Sequence, residues 1–95
     1  MADKKLELRV IAPTASADKS LASYKKGVNV DMVIMRCTTG DLGVLPGRTP
    51  CSMVLGKGDL RVFNDGNEKR MEIDGGIASV GNDVVTILTD SVKAV

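Results

Sequence analysis

Hydrophobic and polar positions alternate along most of the chain, and glycine-rich turns separate the alternating runs. Residues 6–10 alternate at period two, which predicts a strand with Leu6, Leu8 and Val10 on one face. From Met32 onward, short apolar runs recur between glycines and Asn or Asp residues, a spacing typical of a β-sandwich or barrel. No window sustains the apolar stripe of an amphipathic helix. The pattern predicts an all-β fold, a two-sheet antiparallel β-sandwich of about 8–10 short strands.

Turn-forming residues mark several chain reversals. Residues 64–67 read Asn-Asp-Gly-Asn and predict a hairpin, because these residue types tolerate positive φ. Residues 81–83 read Gly-Asn-Asp and predict a second turn, and the β-branched run at residues 84–89 is expected to be a central strand. Gly75 and Gly76 predict a bulge or a close approach of two backbones. Residues 12–26 leave three possibilities open: a long loop, a helical turn around Leu21 and Tyr24, or a short strand.

Lys57 lies between Gly56 and Gly58, where the pattern predicts a hairpin tip. A lysine on a tip is similar to the modified lysine of lipoyl and biotinyl carrier domains, which are also rich in β-structure. Those carriers place Asp or Met beside the lysine, whereas this chain has glycine on both sides. The residues therefore favour a turn lysine in solvent, with a lysine-carrier domain as an alternative.

The run at residues 28–35 begins as an alternating strand and then becomes apolar on both faces. We expect Val33, Met35 and Met53 to lie opposite the core face of their strands. Each such side chain left in water loses about 1.5–3 kcal/mol of favourable burial free energy. An exposed group of them therefore predicts a surface for a protein partner. The alternative is that the other sheet, or the segment at residues 12–26, covers them.

Composition excludes several kinds of function. The chain has 95 residues, no His, no Trp, one Tyr and one Phe, so histidine-based catalysis, histidine metal ligation and aromatic stacking of bases lose their usual residues. The net charge is +1, which does not attract nucleic acid or anionic lipid. Cys37 and Cys51 are too few for a disulfide scaffold or a zinc site and are expected to be structural free thiols.

Other motifs carry no catalytic chemistry. The glycine-rich segment at residues 40–47 contains Pro46 and leads into a strand, whereas a phosphate loop opens a helix. The carboxylates lie in turns or on strand faces without a pattern that brings a pair together. No apolar run reaches the roughly 18–20 residues of a membrane span, and the N-terminus lacks a signal peptide, so we expect a cytosolic protein. The sequence predicts no enzyme, no metal and no cofactor.

Several blocks together resemble one known family. Residues 31–50 contain Gly-Asp-Leu-Gly-Val-Leu-Pro-Gly, and Gly-Asp-Leu-Arg-Val follows at residues 58–62. Asp-Gly-Gly-Ile-Ala-Ser-Val at residues 74–80 and Asp-Val-Val-Thr-Ile-Leu-Thr-Asp at residues 83–90 continue the same order. With the first strand at residues 6–13, this set resembles the N-terminal β-sandwich of the epsilon subunit of F-type ATP synthase. The likeness covers most of the chain.

The resemblance implies a non-catalytic subunit of the rotating central stalk. In the family, this domain lies between the gamma subunit and the membrane ring, at the cytoplasmic face of the membrane and without inserting into it. The resemblance makes Asp41 and Leu42 candidates for contact with the polar loops of the ring. The stretch after Leu-Pro-Gly faces gamma in the family, so the gamma-contact candidates are Arg48, Met53, Val33 and Met35.

The chain also departs from the family pattern. Arg48 stands where the family commonly has His, and Arg36-Cys37 replaces a usual Pro-Gly. The family continues into a C-terminal helical hairpin, so we expect residues 1–90 to form the β-sandwich and residues 91–95 to begin that helical region. The function implied is to link gamma to the ring and to couple proton transport to ATP synthesis. The alternative is an unrelated β-sandwich that binds a protein partner.

Overall fold

The computed structural model describes residues 5–13 and 19–95, and within them the chain is almost entirely strand. A 3₁₀ turn at Lys19–Leu21 and a short helix, α1, at Ser23–Lys26 are the helical elements among these residues. The strands are β1 Leu6–Ile11, β2 Val28–Val30, β3 Met32–Cys37, β4 Gly40–Val44, β5 Cys51–Asn64, β6 Asn67–Gly81, β7 Val84–Leu88 and β8 Val92–Ala94. The predicted all-β class is confirmed.

The strands form one hydrogen-bonded path in the order β2-β1-β7-β6-β5-β3-β4, and β8 also pairs with β6. The higher-numbered half of β6 pairs with β7 and so continues to β1 and β2, whereas its lower-numbered half pairs with β8. On the other side of the hairpin, β3 pairs with β5 along residues 61–63 and again at Leu55, and then continues to β4. The two longest strands thus run through both layers of the sandwich. The predicted sandwich of short, antiparallel strands has two exceptions: β5 and β6 have 14 and 15 residues, and β1 pairs with β7 in parallel.

Glycines lie where β5 and β6 pass from one layer to the other. In β5 the buried position Leu55 is odd-numbered, whereas Leu60 and Val62 are even-numbered, so the inward-facing set changes phase between them. Lys57 lies in this transition, inside β5 and paired with Asp74 of β6. The predicted hairpin tip at Lys57 is therefore wrong, because glycines here bend a continuous strand instead of ending it.

Gly76 confirms the predicted close approach of two backbones. A Cβ atom at Gly76 would lie 2.0 Å from the carbonyl oxygen of Leu88, and φ at Gly76 is 124°. No side chain fits at that separation, so only glycine lets β6 pass the end of β7 here.

Both predicted turns are confirmed as two-residue hairpin loops. Asp65 and Gly66 connect β5 to β6 with φ of 52° and 80°, and Asn82 and Asp83 connect β6 to β7 with φ of 52° and 58°. Positive φ at both central positions matches the right-handed twist of the flanking strands.

The core lies between the two layers. Leu6, Leu8 and Val10 are buried, as the alternation in β1 predicts, and β7 is central because it pairs with both β1 and β6. The largest fully buried side chains belong to several strands: Leu6, Leu8, Met35, Leu60, Met71, Ile73 and Ile87.

Val33 and Met35 also lie in this core, each with an exposed fraction of 0%. Their predicted exposure is wrong, because β3 alternates in the opposite phase and turns Met32 and Ile34 toward the outer face. The apolar run offered no polar residue that would fix the phase from sequence.

The segment before β2 packs over one side of the sandwich. Leu21 and Tyr24 are buried, and α1 lies against β1, so the helical-turn alternative is confirmed for residues 19–26. Residues 14–18 of the segment lie outside the described residues. At the other end of the chain, β8 pairs with residues 71–73 of β6 and buries Val92, so the expectation that residues 91–95 begin a helical region is wrong for residues 92–94.

Candidate partner-binding surfaces

Asp41 projects from the outer strand of the β3–β4 hairpin, directly opposite Arg36 in the strand register. The Arg36 Nε donates to Asp41 Oδ1 at 3.4 Å, and their side chains are 59% and 60% exposed. A pair this exposed contributes about 0–1 kcal/mol to folding, so Asp41 is available for a partner at little cost. Leu42, the next residue, is half-buried and packs against the core, so it supports β4 more than it offers surface.

Arg48 lies on the segment that connects β4 to β5. The backbone N–H of Gly47 donates to Asp83 Oδ1 at 2.7 Å, and Pro50 lies over Gly81 with its Cβ 3.6 Å from the position a Cβ would take there. These contacts fasten the segment to the β6–β7 turn and leave Arg48 exposed. Arg48 thus lies between two anchored neighbours and has an exposed side chain, which suits a contact residue.

Met53 occupies a different position from Arg48. It is half-buried, and its partner across β5 and β6 is Ala78, which is fully buried, so Met53 lies on the core-facing side near the edge of the core. Val33 and Met35 are fully buried, which removes their side chains from any partner surface. The candidates therefore fall into two groups. Asp41 and Arg48 are exposed, whereas the other candidates are buried or pack against the core.

Sequence reasoning missed the most apolar part of the outer surface. Val54, Ile77 and Leu88 are 58%, 54% and 51% exposed, although all three belong to strands. They are direct neighbours across β5, β6 and β7, with Val54 opposite Ile77 and Ile77 opposite Leu88. Ile11 of β1 pairs with Leu88 and extends the line to a fourth strand. We call these four side chains the outer apolar row.

A polar row runs beside the outer apolar row on the same face. Ser52, Ser79 and Thr86 are neighbours across β5, β6 and β7, and Thr86 pairs with Arg9 of β1. This face therefore combines the outer apolar row with a parallel row of hydroxyl side chains, which ends at the positive charge of Arg9. The sequence signal for the apolar row is the run at residues 77–80, where Ile77 and Ala78 are adjacent and the pattern does not show which faces outward.

The two cysteines differ in environment. Cys37 is buried, and desolvation, followed by the nearby Asp41 and Cys51, raises the pKa of its thiol above the ordinary 9.0. Cys51 is half-buried. Neither is in a disulfide, and a thiol with a raised pKa is a poor nucleophile at neutral pH.

The described residues form a cleft beside β8. A polar cleft of about 260 Å³ is lined by Lys57, Glu72, Ile73, Asp74, Ser91 and Lys93, and Lys93 in it pairs with Glu72 at 3.2 Å. In the part of the chain that the structure describes, no group of three or more His, Cys, Asp or Glu side chains could hold a metal ion. Over the same residues, no helix has the length and apolar character needed to cross a lipid bilayer.

The sequence profile of one family matches residues 5–95, that of the "ATP synthase, Delta/Epsilon chain, beta-sandwich domain". The chain belongs to this family. The match extends over every described strand, β8 included, so the delta/epsilon β-sandwich accounts for the whole fold described above.

Relatives of this delta/epsilon β-sandwich domain are named ATP synthase epsilon chain. The protein from Synechococcus sp. (strain WH7803) is 41% identical over 88 residues, which cover 93% of this chain and 59% of the relative. That from Frankia casuarinae is 44% identical over 66 residues, covering 68% of this chain and 78% of the relative. The protein from Bacillus subtilis is 37% identical over 65 residues, which cover 68% of this chain and 49% of the relative. The matched part of the chain thus spans about half to three-quarters of these relatives.

Two solved structures share the fold of the delta/epsilon domain. One chain comes from the Euglena gracilis mitochondrial ATP synthase structure of OSCP, F1 and c-ring, with a TM-score of 0.70, 22% identity, and coverage of 99% of this chain and 58% of the other. The second comes from the central stalk and c-ring of the Tetrahymena thermophila mitochondrial ATP synthase, with a TM-score of 0.72, 14% identity, and coverage of 99% and 69%. At these identities the likeness concerns the fold.

Proposed function

We propose that this domain is a non-catalytic part of the rotating central stalk of an F-type ATP synthase. It joins the gamma subunit to the polar loops of the membrane ring and so helps to couple proton transport to ATP synthesis. It works at the cytoplasmic face of the membrane as a peripheral component of the complex. Family membership and the names of the relatives support this role, and so does the distribution of its surface features.

The outer apolar row is the observation that carries the gamma contact. Three large apolar side chains more than half exposed, in register on adjacent strands, form a contiguous strip, whereas isolated exposed apolar residues are ordinary. Burying each of these side chains against a partner contributes about 1.5–3 kcal/mol to the free energy of binding. The row therefore forms the centre of the gamma-binding face, and the row of hydroxyls beside it supplies hydrogen bonds.

Arg48 and Met53 take secondary positions in this proposal. Arg48 is exposed on a segment fastened to the β6–β7 turn, the turn that follows the polar row along β6. A permanent positive charge there gives orientation and speeds association more than it adds affinity. Met53 supports the same sheet from its core-facing side.

Asp41 is the ring contact in this proposal. Its carboxylate is exposed on the outer strand of the β3–β4 hairpin, while the outer apolar row is built on β1, β7, β6 and β5. Separate surfaces are what a domain needs if it is to hold two partners at once. Leu42 fixes β4 by packing inward beside it.

The experiment is a binding measurement between this chain and the gamma subunit from the same source. We expect a stable complex that Ile77→Glu weakens about ten-fold or more, because the carboxylate is placed in an apolar contact. Val95→Glu is the matched control, since Val95 is 76% exposed and lies outside the row. Absence of binding by the unaltered chain would refute the stalk role, and equal binding by Ile77→Glu would refute the row as its site.

A further inference from the structure

Arg36 is held beside Asp41 in a way that leaves most of its hydrogen-bonding capacity unused. A guanidinium carries N–H donors on Nε and on both Nη atoms. Nε donates to Asp41, and in the described part of the chain this is the ion pair and hydrogen bond that Arg36 makes. The edge formed by the two Nη atoms is therefore free, on a side chain that is 59% exposed.

The stem of Arg36 rests on Gly58. A Cβ atom at Gly58 would lie 3.1 Å from Arg36 Cδ and 3.6 Å from Nε, so the absence of a side chain there makes room for the arginine. Gly58 therefore leaves space for the stem of Arg36, and Asp41 pairs with its Nε beside that stem.

The other arginines of this face converge on a single carboxylate. Arg61 and Arg70 both donate through Nε to Glu68, at 2.6 Å and 3.1 Å, which satisfies that carboxylate twice over. Among the described residues, Asp41 has Arg36 as its arginine partner at hydrogen-bond distance, and both side chains of this pair are more than half exposed. The Arg36–Asp41 pair thus presents one cation and one anion side by side on β3 and β4.

We propose that Arg36 binds a carboxylate on the polar loop of the membrane ring through its free Nη edge, beside the contact made by Asp41. This inference rests on the stalk role proposed above. The planar fork of a guanidinium matches a carboxylate with two parallel hydrogen bonds, which lysine cannot reproduce. The ring loop then carries an acidic and a basic side chain in the opposite order to Arg36 and Asp41.

A protein loop fits this pair better than an anionic lipid surface does. The Asp41 carboxylate is 3.4 Å from Arg36 Nε and would repel a phosphate layer approaching the same point. A loop with one charge of each sign pairs with both residues and leaves neither repelled. Charge pairs of this kind set partner choice, because a loop with the reversed order meets like charges.

The test uses the ring bound to gamma, purified from the source of this chain, in uncharged detergent. We expect Arg36→Met and Arg36→Lys each to weaken binding roughly five-fold or more, since lysine keeps the charge but loses the fork. Arg70→Lys is the matched control, because Arg70 also donates to a carboxylate through Nε but lies on β6, outside the β3–β4 hairpin. Unchanged binding by Arg36→Lys would overturn the two-bond contact, and unchanged or tighter binding by Arg36→Met would overturn any contact.

Two further arms identify the ligand and separate this inference from the stalk role. Vesicles of about one-third phosphatidylglycerol should not retain the chain without the ring, and retention that depends on Arg36 would assign the site to lipid phosphate instead. If the unaltered chain failed to bind the ring–gamma complex, the stalk role itself would fall. If the chain bound, and Asp41→Lys weakened binding while both Arg36 variants did not, only the role of Arg36 would be refuted.

Discussion

The backbone N–H of Asp65 donates to the carboxylate of Asp31 at 2.8 Å, which fastens the β5–β6 turn to the junction between β2 and β3. Lys5 joins the same group, with its Nζ 3.0 Å from Asp31, 2.9 Å from Asp65 and 2.6 Å from Asn64 Oδ1. Three segments far apart in sequence are therefore held together at one end of the sandwich. The Asp65 N–H and then Lys5 lower the pKa of Asp31 below its ordinary 3.8.

This lowered pKa gives a pH dependence of stability with a definite sign. Asp31 is more acidic in the folded chain than in the unfolded one, so its contribution is present above about pH 4 and lost as the pH falls through the folded pKa. We expect Asp31→Asn to lower the unfolding temperature at neutral pH and to bring it closer to that of the unaltered chain in acid. Thermal unfolding followed by circular dichroism measures this, and a constant difference between the two chains at all pH values would contradict it.

Gly76→Ala tests the close approach of β6 to β7. Because the new Cβ would lie 2.0 Å from a backbone oxygen, the strands must separate, and we expect a loss of about 4 kcal/mol or more in the free energy of unfolding. Gly43→Ala is the control, since the nearest atom there is 4.0 Å away, and it should change stability by less than about 0.5 kcal/mol. Urea unfolding curves of both variants check the contrast, and a small loss at Gly76 would mean that the strands can part cheaply.

Met35→Ala distinguishes a core residue from a contact residue. Met35 is fully buried, so we expect its removal to destabilise the domain by about 2–5 kcal/mol. Leu45→Ala, at a side chain that is 57% exposed, should leave stability within about 0.5 kcal/mol. Equal stability of the two variants in urea would contradict the placement of Met35 in the core.

Asp41→Lys tests the proposed ring contact. Since Asp41 is exposed and its pair with Arg36 contributes little to folding, the variant should stay folded but show weaker coupled ATP synthesis in a reconstituted enzyme. Asp41→Glu keeps the charge and should retain most of the coupling. Unchanged synthesis by Asp41→Lys would remove Asp41 from the contact.

The two thiols should react at different rates in the native protein. Cys51 is half-buried, whereas Cys37 is buried and its raised pKa leaves less thiolate at neutral pH. We expect iodoacetamide to modify Cys51 first and Cys37 only as the domain unfolds. Peptide mass spectrometry after a short exposure gives the order, and faster modification of Cys37 would contradict its burial.

Local chemistry was enough to predict part of the fold. The turns at Asp65 and Asn82 follow from residue types that tolerate positive φ, and the burial of Leu6, Leu8 and Val10 follows from strict alternation. Gly76 was identified because paired glycines inside a strand pattern have few other causes. In each case the signal lies within a few residues of the feature.

Features that depend on long-range pairing were not predictable in the same way. The phase of β3 at Val33 is set by which face meets the other layer, and its apolar run gave no local sign of that. The outer apolar row arises only when the register of β5, β6 and β7 brings Val54, Ile77 and Leu88 into line. Asp41 and Arg48 were identified by resemblance, and the structure adds that both are exposed.

The continuity of β5 and β6 through both layers has a mechanical consequence. The two strands keep one register from Cys51–Val80 to Asn64–Asn67, so one hairpin links the layer beside β3 and β4 to the layer beside β7 and β1. If the proposed ring contact is made at Asp41, a twisting load there would pass through β3 to β5 and along the β5–β6 hydrogen-bond ladder to Ile77. Sliding one layer past the other would require β5 and β6 to bend further or to break their shared hydrogen bonds. We therefore expect the surfaces at Asp41 and Ile77 to move together, because one hairpin carries both layers.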